Sequence, residues 1–422
     1  MILDRTKAPE FLVPKSFKLT QPVSFTLSNG IPVYQISSGE QQVVRIEWIF
    51  NGGSAADKQR GAAWFTNKLL SEGTRKYTAF AIQEKLASVG AFLEQASGFD
   101  RDSVTLYSLV RFLPQTLELV CEILNEPNFP EEELEKNRTI ALQGYQVNLN
   151  KTAFLAGNSF RSHLYGSSHA YGRSLDDEAI RSVQRDHLIA HHKQYYHAGN
   201  CSIVVAGYSV EGISKLLNQY MSNWQNGSDS SALYKEPTTS PGYYNVEKKD
   251  SMQSSIRYGR RMFSLSHPDY FKMYFLNEIL GGYFGSRLMS NIREDKGYTY
   301  GIHSYLQNHI QQSAWMISTE AGRHVAEATI TEVYKEMERL CNEPVDEEEL
   351  HLVRNYMMGS ILGDLDGPFQ IIARWKNYVL NNLTEAYFYK SLETIKTITA
   401  EELTELAKKY FIKEEFYQLT VV

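Results

Sequence analysis

The feature that most constrains this chain is a segment it contains twice. NEPNFPEEELEKNR (125–138) and NEPVDEEELHLVRN (342–355) share Asn-Glu-Pro, then Glu-Glu-Glu-Leu, then an Arg four residues on. The offset is 216 residues from Leu134 to Leu350 and again from Arg138 to Arg354. Each copy follows a stretch with helical apolar spacing: Leu113, Leu117, Val120, Cys121 and Leu124 before the first, and Ile330, Val333, Met337 and Leu340 before the second. Each copy also reads as a helix start, with acids in the first turn where the helix dipole favours negative charge. A period this long means a duplicated domain, since solenoid repeats are far shorter.

Strand patterns fall between the helices. VVRIEWIF (43–50) puts Val44, Ile46, Trp48 and Phe50 on one face and Arg45 and Glu47 on the other, as a half-buried strand does. DSVTLYSLV (102–110) alternates in the same way, and SIVVA (202–206) reads as a strand buried on both faces. A helix over 79–89 ends at Gly90. The expected class is α+β, two homologous domains that each pack helices on an antiparallel-rich sheet. QNGSDSSALYKEPTTSPG (225–242) is rich in Ser, Gly, Pro and Thr and reads as an exposed linker. It divides the chain into an N-terminal domain over 1–225, a linker over 226–242 and a C-terminal domain over 243–422.

Composition excludes several function classes. A net charge of −6 gives no reason to invoke nucleic acid, and no apolar run approaches the ~18 residues of a membrane span. The start, MILDRTKAPEFLVPK, lacks the apolar core of a secretory signal, so a cytoplasmic location is expected, or a periplasmic one if a leader was removed. Cys121, Cys201 and Cys341 are widely spaced in apolar surroundings and read as free thiols in a reducing compartment. His187 and His191 in DHLIAHHK have the one-turn spacing that zinc favours, but no third ligand is placed to complete a site. GGYFGS (281–286) has the glycines of a phosphate loop without its Lys, and suits close passage of backbone or substrate instead.

The stretch GAAWFTNKLLSEGT (61–74) resembles the zinc helix of the M16 (pitrilysin-like) peptidases in its frame: Gly61-Ala62-Ala63, Leu69 and Glu72-Gly73-Thr74. That family carries His-x-x-Glu-His here, two zinc ligands and a general base. This chain has Trp64, Asn67 and Lys68 at those positions. An indole offers a metal no lone pair, an amide cannot shuttle a proton, and an ammonium cannot ligate. The resemblance extends through LSNGIPVY (27–34), HAYGRS (169–174), YYHAGNCSIVVAG (195–207) and LGGYFGSRLMSNIREDKGYTYG (280–301). It places the family's third ligand, a Glu, at Gly144, and implies a fold of the LuxS/MPP-like type with two halves facing a central chamber. Trp64 and Lys68 are then read as a packed indole with a Lys beside it, helped by Glu72 one turn on.

Arg293 and Tyr300 match an Arg and a Tyr that active M16 enzymes present to substrate from the second domain, and some bacterial members keep zinc motif and Arg/Tyr pair on separate subunits. The resemblance therefore implies a non-catalytic subunit, with no cofactor of its own and zinc in a partner. Arg293 and Tyr300 would contact peptide, and the composite would be a metalloendopeptidase. The alternative it leaves open is a peptide-binding or scaffolding homodimer without proteolysis, like the family's core subunits in respiratory complexes.

Overall fold

The computed structural model describes Thr6 and residues 18–208, 212–227 and 235–422. Among these residues lie eleven strands: β1 Val23–Thr26, β2 Pro32–Ser37, β3 Val43–Phe50, β4 Phe92–Ser97, β5 Asp102–Leu109, β6 Cys201–Gly207, β7 Gly242–Val246, β8 Gln253–Met262, β9 Thr299–Gln307, β10 Ser313–Gly322 and β11 Tyr417–Val421. The helices of the first half are α1 Ala62–Leu69, α2 Ala79–Ala87, α3 Leu113–Asn125, α4 Glu131–Asn148, α5 Thr152–Tyr165, α6 Asp177–Ser182, α7 Arg185–Tyr195 and α8 Ile213–Met221. Those of the second are α9 Tyr270–Asn277, α10 Ala326–Asn342, α11 Glu347–Gly363, α12 Pro368–Leu380, α13 Glu385–Thr397 and α14 Ala400–Tyr410.

The two sheets repeat one design. The first runs β1-β2-β6-β3-β5-β4 and the second β7-β11-β8-β10-β9. In each, the first strand after the optional β1 pairs parallel with the last strand of its half, β2 with β6 and β7 with β11, and the other pairs are antiparallel. The repeated segments open α4 and α11, with Glu131–Glu133 and Glu347–Glu349 in their first turns. The repeated arginines do the same work twice. Arg138 donates to the carbonyl of Val183 and Arg354 to that of Ile398, each just before the cap of a later helix, α7 or α14.

The halves are not closed units. Helix α5 leaves the first half to cover the second sheet: Ala156, Phe160 and Leu164 pack with Ala314, Met316, Tyr417, Leu419 and Val421. Its counterpart α12 returns to the first sheet, where Ile371, Ile372 and Trp375 share a core with Ile36, Ile49, Val204 and Ala206. The exchanged helices begin at Thr152 and Pro368, again 216 residues apart. The packing units therefore cross the chain division at the linker. Of that linker, residues 228–234 lie outside the described residues; Thr239 Oγ1 donates to Leu164 O at 2.9 Å, and Lys235 O lies 2.9 Å from His169 Nε2.

This exchange corrects the expected exposure of β3. Arg45 and Glu47 were assigned the polar face, yet Glu47 is buried because α12 covers that face. Burying a carboxylate requires paired cations, and Glu47 has two: Arg45 at 2.6 Å and Lys376 of α12 at 2.9 Å. A second joint is made by the HAYGRS segment. Tyr171 donates to Asp100 Oδ1 at 2.6 Å and stacks on His309 of the β9–β10 hairpin with ring centres 4.2 Å apart. Burial would raise the Asp100 carboxyl, but the bonds from His309 and Tyr171 hold it below its usual range.

Candidate functional site

Helix α1 is built where the zinc motif would stand. Strand β3 delivers the chain to Asp57, whose two carboxylate oxygens accept from Gly61 N at 2.8 Å and Ala63 N at 2.7 Å and so close the helix N-terminus. Gly61 has φ 92°, and a Cβ there would meet Leu175 Cδ1 at 2.7 Å, so the start of this helix needs glycine. Ala63, Phe65 and Leu69 bury the inner face.

The four motif positions fall into four different environments. Trp64 is half-buried, edge-on to Phe65 with centroids 4.7 Å apart, and walls a cleft of about 250 Å³ with Phe99, Arg161 and Arg173. Asn67 is buried and donates to Ser103 O and to Tyr196 OH, both at 3.1 Å. Lys68 is exposed, and among the described residues it forms no ion pair with Glu72. Glu72 is raised by burial first and by Glu133 second, with Lys68 a weak opposing influence. The pairing of Lys68 with Glu72 therefore stays at long range. Gly144 lies on the exposed side of α4, and a Cβ there would meet nothing within 4 Å. Among the described residues no group of three or more His, Cys, Asp or Glu could hold a metal ion.

Beneath α1 lies a polar cluster that sequence reasoning missed. Tyr196 OH donates to Asp102 Oδ2 at 3.1 Å, and His191 stands between Asp102 (3.7 Å) and Asp57 (3.8 Å). Burial raises both carboxyls above their usual range, with His191 opposing it. The signal was available in part: Asp57 precedes a Gly-Ala-Ala helix start, and Asp102 is the one charged residue of its strand. His187 does not join His191. Its Nδ1 accepts from Gln184 N at 3.0 Å in the capping box of α7, so the one-turn His pair is split between a cap and the core. Burial pushes His192 down to about 4, and it stands 2.8 Å from Leu124 O. Cys121 and Cys201 are buried free thiols, and Cys341 is half-buried.

Arg293 and Tyr300 lie in the second half. Arg293 belongs to a π-helical stretch, Met289–Asp295, and its guanidinium sits 4.6 Å over the ring of Phe284 in the glycine-rich segment. Gly281 of that segment runs against β9, since a Cβ there would meet Ser304 N at 2.9 Å. Tyr300 is the second residue of β9, the edge strand of its sheet, and is 92% exposed. It borders a cleft of about 440 Å³ with Lys296, Glu320 and His324. Phe284 is 61% exposed beside Arg293. Arg293 and Tyr300 are brought to the same half and the same loop-to-strand passage, and among the described residues no hydrogen bond or cation–π contact joins them.

A duplicated sheet-and-helix fold carrying the frame of a zinc helix defines the chain as a member of the M16 peptidase family. Residues 33–169 match the model described as Insulinase (Peptidase family M16), and residues 182–357 match the Peptidase M16 inactive domain. The zinc protease YmxG of Bacillus subtilis, described as uncharacterized, is 21% identical over 94% of this chain and 97% of its own length. A Helicobacter pylori protein described as a non-peptidase homolog is 24% identical over 73% of this chain and 72% of its own length. The crystal structure of a peptidase M16 inactive domain from Pseudomonas fluorescens superposes with a TM-score of 0.88 at 23% identity, covering 95% of this chain and 98% of that one. Among the described residues no helix is long and apolar enough to cross a membrane.

Proposed function

We propose that this chain is the non-catalytic subunit of a two-chain M16 zinc peptidase, in which a partner carries zinc and this chain offers Arg293 and Tyr300 to the bound peptide. The observation that carries the reading is a contrast. The zinc-motif positions are occupied by Trp64, Asn67, Lys68 and Gly144, while Tyr300 stands exposed on an edge strand at the border of a cleft. Exposed Tyr and Arg side chains are the residues that protein surfaces use most at contacts. A phenol and a guanidinium can donate to a peptide carbonyl and steady negative charge developing on it without any metal of their own.

The test is a pair of variants in the assembled enzyme. Tyr300→Phe keeps the ring and removes one donor; losing a donor to a developing oxyanion lowers turnover on the order of a hundredfold or more. Arg293→Ala is expected to raise KM, because a guanidinium clamps carbonyl and carboxylate groups. Both variants should keep the thermal midpoint and the assembly of the parent. Full turnover in a stably assembled Tyr300→Phe complex removes the catalytic role from Tyr300. The second reading, a scaffolding homodimer without proteolysis, draws support from the name of the Helicobacter pylori relative, and predicts self-association with no zinc-bearing partner.

A further inference from the structure

The duplication gives every position of the first half a counterpart in the second. Aligning the helix that follows the second paired strand of each sheet sets Phe65 on Phe275, with both rings buried. The same shift of 210 residues sets Trp64 on Tyr274, Asn67 on Asn277 and Lys68 on Glu278. The two asparagines are alike in part. Asn67 donates through Nδ2 to Ser103 O of β5 at 3.1 Å, whereas Asn277 donates to Ser304 O of the edge strand β9 at 3.2 Å. Each also accepts at its own carbonyl from the edge strand, from Gln95 on β4 and Ser304 on β9. On the next helix pair, the shift of 216 sets Gly144 on Ser360. The second-half counterparts of three zinc-motif positions, Tyr274, Glu278 and Ser360, line one cavity of about 320 Å³ between α9, α11, α12 and α13.

The walls of that cavity are aromatic: Tyr270, Phe271, Tyr274, Tyr356, Tyr378 and Tyr387. Glu278 is 6% exposed, and its carboxylate has no hydrogen bond or ion pair among the described residues. A buried carboxylate without a partner is costly unless something supplies one. It opens a π-helical turn, Glu278–Gly282, a distortion that recurs at functional sites. Gly282 makes room for it: a Cβ there would lie 2.6 Å from the Glu278 carboxyl carbon. The other acid of the cavity, Asp364, is already matched by Arg374 at 2.6 Å. The site is therefore left with one carboxyl among ring faces that, when ionised, has no cation beside it. An anion would be repelled, and a neutral apolar ligand would leave Glu278 desolvated. A divalent metal would lack ligands. A protonated amine satisfies both features at once, through N–H donation to the carboxylate and attraction to the tyrosine faces.

We propose that this cavity is a binding site for an alkylammonium group, either the side chain of a lysine in a bound peptide or a free amine, with Glu278 as its counter-ion and Tyr274, Tyr356 and Tyr378 as its walls. The second half thus carries a ligand site of its own at the position where the family's first half holds its metal. Burial alone pushes the empty Glu278 carboxyl up to about 7. The ionised form is the binding form, so its fraction grows about tenfold from pH 6 to pH 8. The other titratable and charged groups that face the site are Asp364, paired with Arg374 at 2.6 Å, and the tyrosines, of which burial raises Tyr274, Tyr356 and Tyr378 above their usual values.

The test is calorimetric titration of the full chain with N-acetyl-lysine methylamide, n-butylamine and the uncharged N-acetyl-norleucine methylamide. Saturable binding of at least one amine is expected, about tenfold tighter at pH 8 than at pH 6, with no binding of the norleucine compound. Tighter binding of the lysine compound identifies a peptide side chain as the source; equal or tighter binding of butylamine identifies a free amine. Glu278→Gln should weaken binding at least tenfold and erase the pH dependence. Ser360→Trp fills the cavity from α11 while keeping Glu278 itself and should abolish binding, which keeps the test sound if one variant folds poorly. Binding unchanged in Glu278→Gln, norleucine binding as tight as lysine, or no amine binding at all overturns the proposal.

Discussion

Phe160→Ala probes the helix exchange, because the side chain belongs to the first half of the chain and its neighbours to the second. Phe160 is fully buried on α5 among Ala314, Met316 and Leu419. Its ring lies over Gly259 of β8, where even a Cβ would come within 3.1 Å of Phe160 Cζ. Truncation leaves a ring-sized void floored by a glycine, with no side chain beneath to relax into it. Phe→Ala in such a site costs about 3–5 kcal/mol. Since each ~1.4 kcal/mol is tenfold in an opening equilibrium, amide protection governed by this packing should fall on the order of 10²–10³-fold. Native-state hydrogen exchange resolved by peptide is the assay. The loss is expected in β8, β10 and β11 as well as in α5. Loss confined to the first-half strands β2, β3 and β6, with the second sheet unchanged, would refute the exchange.

Three further outcomes follow from the same geometry. A protease site inserted between residues 228 and 234 should be cut without separating the halves, because α5 and α12 each remain embedded in the other half's sheet; two fragments that elute apart under native conditions contradict this. The Glu278 carboxyl, raised to about 7, binds a proton in the folded chain that the unfolded chain, at its ordinary 4.5, has released. Its effect on stability is therefore nil below pH 4, becomes increasingly destabilising as pH rises from 4.5 to 7, and levels off above that at up to ~3 kcal/mol. Glu278→Gln should accordingly gain stability over the parent at pH 8 and lose that advantage at pH 4.5, as urea midpoints at the two values will report. In the assembled peptidase, Tyr300→Phe should lower turnover and Arg293→Ala should raise KM, with stability unchanged in both, read by steady-state kinetics beside thermal melts.

What the sequence made legible was set by periodicity and by covalent spacing. The helix pairs before and after the repeated Glu-Glu-Glu-Leu are visible because their apolar residues recur at helical intervals, and α3, α4, α10 and α11 stand there. That Trp64, Asn67 and Lys68 stand where the family carries His-x-x-Glu-His is legible because it depends on residue type alone. The exchange of α5 and α12 is not, since an amphipathic helix does not record which of two similar sheets it will cover. Glu47 illustrates the consequence: alternation in β3 marks it as facing away from one core, and only α12 makes the opposite face a second core. Asp57, Asp102 and His191 are far apart along the chain, and no spacing rule links them. Glu278 is hidden for a similar reason. It sits in an ordinary apolar helical run, and its isolation is a property of the aromatic residues that three other helices bring around it.

The measurement that tests the central claim most directly is recombination of this chain with the zinc-bearing M16 partner that the proposal requires. Each would be purified separately and assayed for bound zinc and for hydrolysis of a quenched fluorescent peptide, alone and mixed. The account predicts that this chain alone holds no stoichiometric zinc and cleaves nothing, and that mixing yields activity well above that of the zinc-bearing chain by itself. One zinc per chain together with peptide hydrolysis by this chain alone, or a mixture no more active than its zinc-bearing component, would contradict it.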